Sequence, residues 1–371
     1  MRKLATLIAL PFAALLLASA CGGGRQLAGI PTPGAPAAAK IAFESCRPEH
    51  PEDPESDSIC DIYAVNADGS GLTNVTNDPQ SYYSFTWSPD GSRIAFQSFR
   101  DGNAEIYTIN PDGSGLTNLT NDPSGDLFPV WSPGGSRIAF DSDRDHAGDL
   151  FEIYAMNSDG SGQTRLTQGP VNPPDTVPLG LSWSPDGDRI AFYVDPGRAG
   201  DIWLMDADGS GQTRLTDNPE DDIPSAWSPD GRHIAFESDR DGSWDIYVMS
   251  ADGSGQTRLT DNPEDDVEPA WSPDGSRIAF VSYRTDESGN FQTDVFVMSA
   301  DGSGPTNLTN NATHDGSPAW SPDGGRIAFV REGDIAFKGS LHVMNADGSD
   351  VIRLTHDDEA DVRYLAWQPA P

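Results

Sequence analysis

The stretch Trp271-Ser272-Pro273-Asp274-Gly275-Ser276-Arg277-Ile278-Ala279-Phe280 constrains the fold of this 371-residue chain more than any other feature. It encodes the end of one strand, a tight turn and the start of a second strand. Serine opens the turn, proline presets φ at the second corner, and glycine supplies the conformation needed on exit. Ile278 and Phe280 then fall on one strand face and Ala279 on the other. One such hairpin is marginal in water. The chain, however, repeats it at a spacing near 44 residues, and that period sets the architecture.

Four strand signals recur seven times each. A Trp-bearing strand appears at Trp87, Trp131, Trp183, Trp227, Trp271, Trp320 and Trp367. An Ile-Ala-Phe strand begins at Ile41, Ile94, Ile138, Ile190, Ile234, Ile278 and Ile327. A third carries pairs such as Ile62-Tyr63 and Ile246-Tyr247 and runs into a turn centred on Asp68, Asp112, Asp159, Asp208, Asp252, Asp301 or Asp347. A fourth, short strand ends in Val75-Thr76 and its counterparts through Leu354-Thr355. Short strands between Gly/Pro/Asp turns argue for an all-β fold, and four-stranded units repeated radially argue for a seven-bladed propeller of antiparallel blades. The first copy lacks its Trp strand and the last copy has nothing else. The C-terminal strand is therefore expected to complete blade one, residues 40–77 plus 362–369, and so close the ring and hide both edges.

Trp-Ser-Pro-Asp-Gly-x-Arg-Ile-Ala-Phe, Asp-Ile-Tyr-Val-Met-x-Ala-Asp-Gly-Ser-Gly and Thr-Arg-Leu-Thr together resemble the WD-repeat-like propeller of the TolB family across residues 40–369. The resemblance implies the fold and leaves the function open, because this propeller hosts many roles. The family's namesake is a periplasmic protein with six blades behind a small α/β domain. Here seven blades are counted, and residues 22–39 are too short for that domain, so the namesake's role in envelope maintenance is not carried over. Lyases of oligogalacturonate that resemble this propeller use clustered histidines. His50, His146, His233, His314, His342 and His356 match no such cluster and have no ligand spacing. Prolyl-oligopeptidase-like relatives add a hydrolase domain, for which no residues remain, and no Gly-x-Ser-x-Gly elbow is present.

The N-terminus reads as an export signal: Arg2 and Lys3, an apolar run from Leu4 to Leu17, then Ala18-Ser19-Ala20 before Cys21. Leu17 to Cys21 resembles a bacterial lipobox, which implies a lipoprotein signal peptide over residues 1–20 and lipidation of Cys21. Residues 21–39, rich in Gly, Pro and Ala, are expected to form a flexible tether, with the propeller over 40–371. The expected address is the bacterial cell envelope, outside the cytoplasm, with the lipid on Cys21 as the only membrane contact. A net charge of -35 repels nucleic acid and anionic membrane and favours cationic or basic partners. Cys46 and Cys60 flank one loop of an exported chain and are expected to form a disulfide that staples the acidic segment from His50 to Ser58.

With the Trp strand innermost, the two short turns of each blade share one rim and read as architecture. The opposite rim carries the connections of variable length, and binding is expected there. On it recur Arg100, Arg144, Arg240 and Arg284, with Arg331 and Arg198 out of register, and Asp126, Asp222, Asp266 and Asp315. These either tie neighbouring blades or form a ligand-holding mouth. Irregular aromatics, Tyr82-Tyr83, Phe128, Tyr193, Trp244, Tyr283 and Phe291, are the candidates for specificity. Asp206, Asp208 and Asp217 superficially match a calcium loop, but a repeating hairpin turn accounts for the pattern. No catalytic residue, cofactor or metal is expected, beyond weak calcium binding by the acidic loops.

The expected function is a monomeric, non-enzymatic envelope scaffold that binds a protein or a glycan through its variable rim. The alternative is a secreted carbohydrate-active hydrolase or lyase working through acidic rim residues.

Overall fold

The computed structural model describes residues 39–48, 58–77, 82–145, 151–167, 180–195, 199–285, 289, 291–333, 338–356 and 360–370. The expected signal peptide, Cys21 and almost all of the tether lie outside them, as do His50, His146, Arg198 and Asp357 to Glu359.

The described strands form seven four-stranded antiparallel sheets, each built from consecutive strands except the first. Blade 1 joins residues 40–74 to the C-terminal strand Asp361–Trp367. Blades 2 to 7 follow as residues 82–118, 126–165, 182–214, 222–258, 266–307 and 315–353. The Trp strands of neighbouring blades touch one another around the ring, which makes them the inner wall. The C-terminal strand pairs Trp367 with Ile41, the same register as Trp87 with Ile94 or Trp271 with Ile278. Ring closure thus repeats, without a covalent turn, the hairpin found in every other blade.

That hairpin closes as its residues require. Gly275 sits at φ 70°, and its N–H donates to Ser272 O at 2.8 Å. Ser272 Oγ donates to Asp274 at 2.6 Å and accepts the Arg277 N–H at 3.0 Å. The second turn works alike: Asp208 accepts both the N–H and the Oγ of Ser210, at 2.9 and 2.6 Å, and Asp206 takes the same hydroxyl. Of the three carboxylates that resemble a calcium loop, Asp206 and Asp208 are therefore engaged inside the turn.

The core lies between blades. Ala42, Ile62 and Ala64 of blade 1 pack against Trp87, Ile94, Phe96 and Tyr107 of blade 2, and the pattern runs round to blade 7, where Val330 and Leu341 meet Ile41 and Phe43. Indole N–H groups add a second tie: Trp87 donates to Ala366 O at 3.2 Å and Trp367 to Ala319 O at 3.0 Å, each reaching the preceding blade's inner strand. The outermost strands are shorter than the sequence pattern suggests. In blade 1 only Thr73–Asn74 pairs as strand. Val75 and Thr76 extend the contact, because Val75 N–H reaches Ile62 O and Thr76 Oγ1 accepts the Ile62 N–H.

Candidate functional site

Strand polarity puts the ends of the Ile-Ala-Phe strands and the starts of the Trp strands on one rim, opposite the two capped turns. There the repeated Asp and Arg residues meet. Arg144 Nη2 donates to both oxygens of Asp126 at 2.8 and 3.0 Å, Arg240 to Asp222 at 2.7 Å, and Arg331 to both oxygens of Asp315 at 2.7 and 2.9 Å. All three carboxylates are 0% exposed. Each pair lies within one blade, linking its first strand to the end of its second, and not between blades as the sequence suggests. Arg144 and Arg240 also donate to Ser142 and Ser238 and lie 4.7 Å over the rings of Tyr154 and Tyr247. Blade 6 departs from this arrangement. Arg284 lies 4.0 Å over Phe296, while Asp266 accepts from Asn262 and keeps Oδ1 without a hydrogen-bond partner among the described residues. Burial raises the carboxyl pKa of Asp266. Arg100, with Tyr82 at the Asp position of its blade, stacks on Tyr107 at 5.0 Å.

A second set of buried acids escaped the sequence reading. Half-buried Asp61 and buried Glu105, Glu152, Asp201, Asp245 and Asp294 lie in the first half of the third strand, and each accepts the hydroxyl of the threonine two residues past the outer strand. That threonine also accepts a backbone N–H from the third strand, as Thr260 does from Ile246 at 3.0 Å. The regular Asp/Glu-Ile pairs and Leu-Thr pairs, 14 residues apart in most copies, were the available signal.

A third set lines the inter-blade seams. The residue after Ile-Ala-Phe points between blades and is Glu44, Gln97, Asp141, Tyr193, Glu237, Val281 or Val330. Glu237 Oε1 accepts the Glu268 N–H of blade 6 at 2.8 Å and the Ser225 hydroxyl at 3.2 Å. Glu268 Oε2 in turn accepts the Ser317 N–H of blade 7 at 2.7 Å. Burial pushes both carboxyls up to about 7. Glu268 and Ser317 hold φ of 56° and 52° at a bulge of the inner strand, which turns their N–H groups toward the preceding blade. Phe128 occupies the same bulge at φ 50°.

Cys46 and Cys60 are direct cross-strand partners and form a disulfide. Glu44 Oε1 lies 3.2 Å from Cys46 Sγ. A disulfide sulfur carries no proton, so the donor is the protonated Glu44 carboxyl, which burial pushes up to about 8. Glu44, Cys46 and Cys60 crowd within 4.8 Å. With both sulfurs bonded to each other, this group offers no thiolate to a metal.

Among the described residues, blades 1 and 6 carry the longest middle hairpins on this rim. That of blade 6, Arg277–Thr285 with Phe291–Ser299, extends three residue pairs beyond the equivalent His233–Ser238 with Asp245–Ser250 of blade 5. Phe291, at the overhang, is 51% exposed, with its ring 5.3 Å from Tyr283 and 5.9 Å from His314. Acidic groups surround this row. Glu264 accepts the Thr285 hydroxyl at 3.4 Å, Asp265 accepts the Trp244 N–H at 2.9 Å, and Glu332 N–H bonds His314 O at 2.8 Å. Of the other candidates, Tyr193 is 8% exposed and donates to Asp221 at 3.0 Å. Tyr82 and Tyr83 lie in the inner strand of blade 2, with side chains outside the described residues. His342 is buried and stacked on Phe329, and desolvation lowers its pKa.

The family model for the TolB beta propeller domain matches residues 55–178, 176–286 and 266–368. No curated protein matches the chain. Among solved structures, TolB from Acinetobacter baumannii is similar at 20% identity, over 89% of this chain and 83% of that one, with a TM-score of 0.54. A puromycin-hydrolyzing peptidase of Mycobacterium tuberculosis aligns at 15% identity over 94% of this chain and 55% of its own, TM-score 0.65. An oligogalacturonate lyase in complex with manganese aligns at 16% identity over 86% of each chain, TM-score 0.55. At these identities the likeness is one of fold alone. The family model, by contrast, spans nearly the whole propeller, and the chain belongs to the TolB beta propeller domain family.

Proposed function

We propose that this protein is an exported, lipid-anchored propeller of the cell envelope that binds a protein or a glycan through its variable rim and catalyses no reaction. The observation that carries this reading is the exposed Phe291 on the overhanging hairpin of blade 6, in line with Tyr283 and His314 and bordered by Glu264, Asp265 and Glu332. Aromatic faces flanked by carboxylates suit a basic peptide segment or a sugar ring, and the overall charge of -35 favours the former. The repeated Asp–Arg pairs satisfy one another and serve the blades, so recognition falls to the residues in which the copies differ. Membership in the TolB beta propeller domain family supports export, and the lipobox-like run before Cys21 supports anchoring through that cysteine.

The test is affinity capture from envelope extract with immobilised chain, run beside a Tyr283→Ser/Phe291→Ser double variant. A specific protein or glycan retained by the wild type and lost by the variant supports the reading, and equal retention overturns it. A second reading, a carbohydrate-active hydrolase or lyase, is favoured by Glu237 and Glu268, whose carboxyls are poised near neutrality. Turnover of an oligosaccharide panel that disappears in Glu237→Gln would replace the first reading with the second.

A further inference from the structure

The rim of capped turns is held together by a repeated arginine, which two of the seven interfaces lack. In five blades an arginine begins the Ile-Ala-Phe strand and reaches across to the next blade. Arg93, Arg137, Arg189, Arg277 and Arg326 donate to the backbone carbonyls of Ser158, Ala207, Ala251, Ala346 and Ala67, at 3.3, 2.6, 3.5, 3.4 and 3.5 Å. The first four also lie over the next blade's tryptophan, Trp131, Trp183, Trp227 and Trp320, at 5.1, 5.7, 5.2 and 4.5 Å. Each of these four guanidiniums therefore fills a slot with an aromatic floor and a carbonyl at its end. Where blade 1 meets blade 2, Lys40 holds the arginine position, and Gln368 donates across the seam to Gly91 O at 2.8 Å.

Between blades 5 and 6 the arginine position is His233, paired with Ser250 as Arg277 is paired with Ser299. The imidazole is exposed and is shorter than an arginine side chain. Arg232 does not compensate. It sits in the turn just before the strand and is 81% exposed beside Asp230. What remains is a cavity of about 520 Å³, lined by Trp271, Ala300, Val248 and the turn residues Asp230, Pro273 and Asp274, among others. Its size is that of a ligand site. Hydrogen bonds from Ser272 and Ser276 hold the Asp274 carboxyl down to about 2, so it stays anionic at any physiological pH.

We propose that this cavity is a binding site for the guanidinium of an arginine side chain donated by a partner polypeptide, which completes in trans the staple that five other blades supply in cis. The chemistry favours arginine over lysine. A planar, weakly hydrated cation can stack on the Trp271 indole while its N–H fork reaches the Ala300 carbonyl and a turn carboxylate. A compact ammonium can do only one of these. The site lies on the rim opposite the Phe291 row and does not depend on the function proposed for it.

The test is calorimetric titration of the full-length chain with Nα-acetyl-arginine N-methylamide, and with the citrulline and lysine equivalents. The arginine probe should bind saturably, and citrulline, of the same shape but uncharged, at least tenfold more weakly. His233→Arg should abolish binding and raise the melting temperature by about 2 °C. Val248→Phe, which fills the cavity without adding charge, should abolish binding on its own. No binding of the arginine probe, equal binding of citrulline, or undiminished binding by both variants overturns the proposal.

Discussion

Glu44, Glu237 and Glu268 sit in the seams between blades, where burial raises their carboxyls to about 8, 7 and 7 from an ordinary 4.5. In the unfolded chain these groups release their protons near pH 4.5, whereas the folded chain keeps them until pH 7 to 8. The native state therefore binds more protons across that window, and stability falls as pH rises through it. One pKa unit corresponds to about 1.4 kcal/mol, so Glu237 alone accounts for on the order of 3 kcal/mol between pH 5 and 8. Thermal melts at pH 5.5 and pH 8 should show the wild type losing stability as pH rises. Glu237→Gln, whose amide oxygen can still accept the Glu268 N–H, should flatten that slope and melt a few degrees higher at pH 8. A slope equal in both proteins would show that Glu237 is ionised in the native state. Asp274 and the other turn aspartates play no part here, since their carboxyls are lowered and titrate only in stronger acid.

The extended hairpin of blade 1 depends on its disulfide in a way that the six-residue hairpins do not. Lys40–Pro48 and Ser58–Asn66 run three pairs past the usual strand end, and Cys46–Cys60 closes the last stretch before the acidic connection. A cross-link between residues 14 apart stabilises mainly by restricting the unfolded chain, by about 3 kcal/mol. Reduction, or a Cys46→Ser/Cys60→Ser variant, should lower the denaturant midpoint by a corresponding amount and leave the far-ultraviolet spectrum of the sheets intact. Two free thiols in the unreduced protein would contradict the pairing. At this scale much was legible. Ser-Pro-Asp-Gly turns, Ile-Ala-Phe alternation and paired cysteines act through neighbours a few residues away, and such effects are printed in the local sequence. Partnerships set by the ring were harder to read. That Arg240 pairs with Asp222 of its own blade and Glu237 with the backbone of the next follows from strand polarity and blade stacking, which a repeat shows only once folded. The capped-turn rim read as pure architecture because six of its seven seams are, and His233 stood out only once its counterparts were seen bound to the next blade.

At the scale of the whole ring, closure rests on a strand held by hydrogen bonds and packing alone. Asp361–Trp367 buries Val362, Leu365 and Trp367 against blades 1 and 7, and its indole N–H bonds the inner strand of blade 7. Burying a large apolar side chain contributes about 1.5–3 kcal/mol, so losing these three costs on the order of 5 kcal/mol before the two blade faces exposed by their departure are counted. The loss should be unusually damaging because every blade in a closed ring leans on two neighbours. Without this strand, blade 1 keeps an unpaired inner edge, open to pairing with another chain. Deleting residues 362–371 should therefore lower the melting temperature sharply and promote association, read by calorimetry and light scattering. Deleting only residues 370–371, beyond Gln368 and its bond to Gly91, should change neither. A truncated ring that melted like the intact one would mean that the blades hold together without the pairing between the ends of the chain, and the equivalence of Trp367–Ile41 to the covalent hairpins would be one of geometry alone.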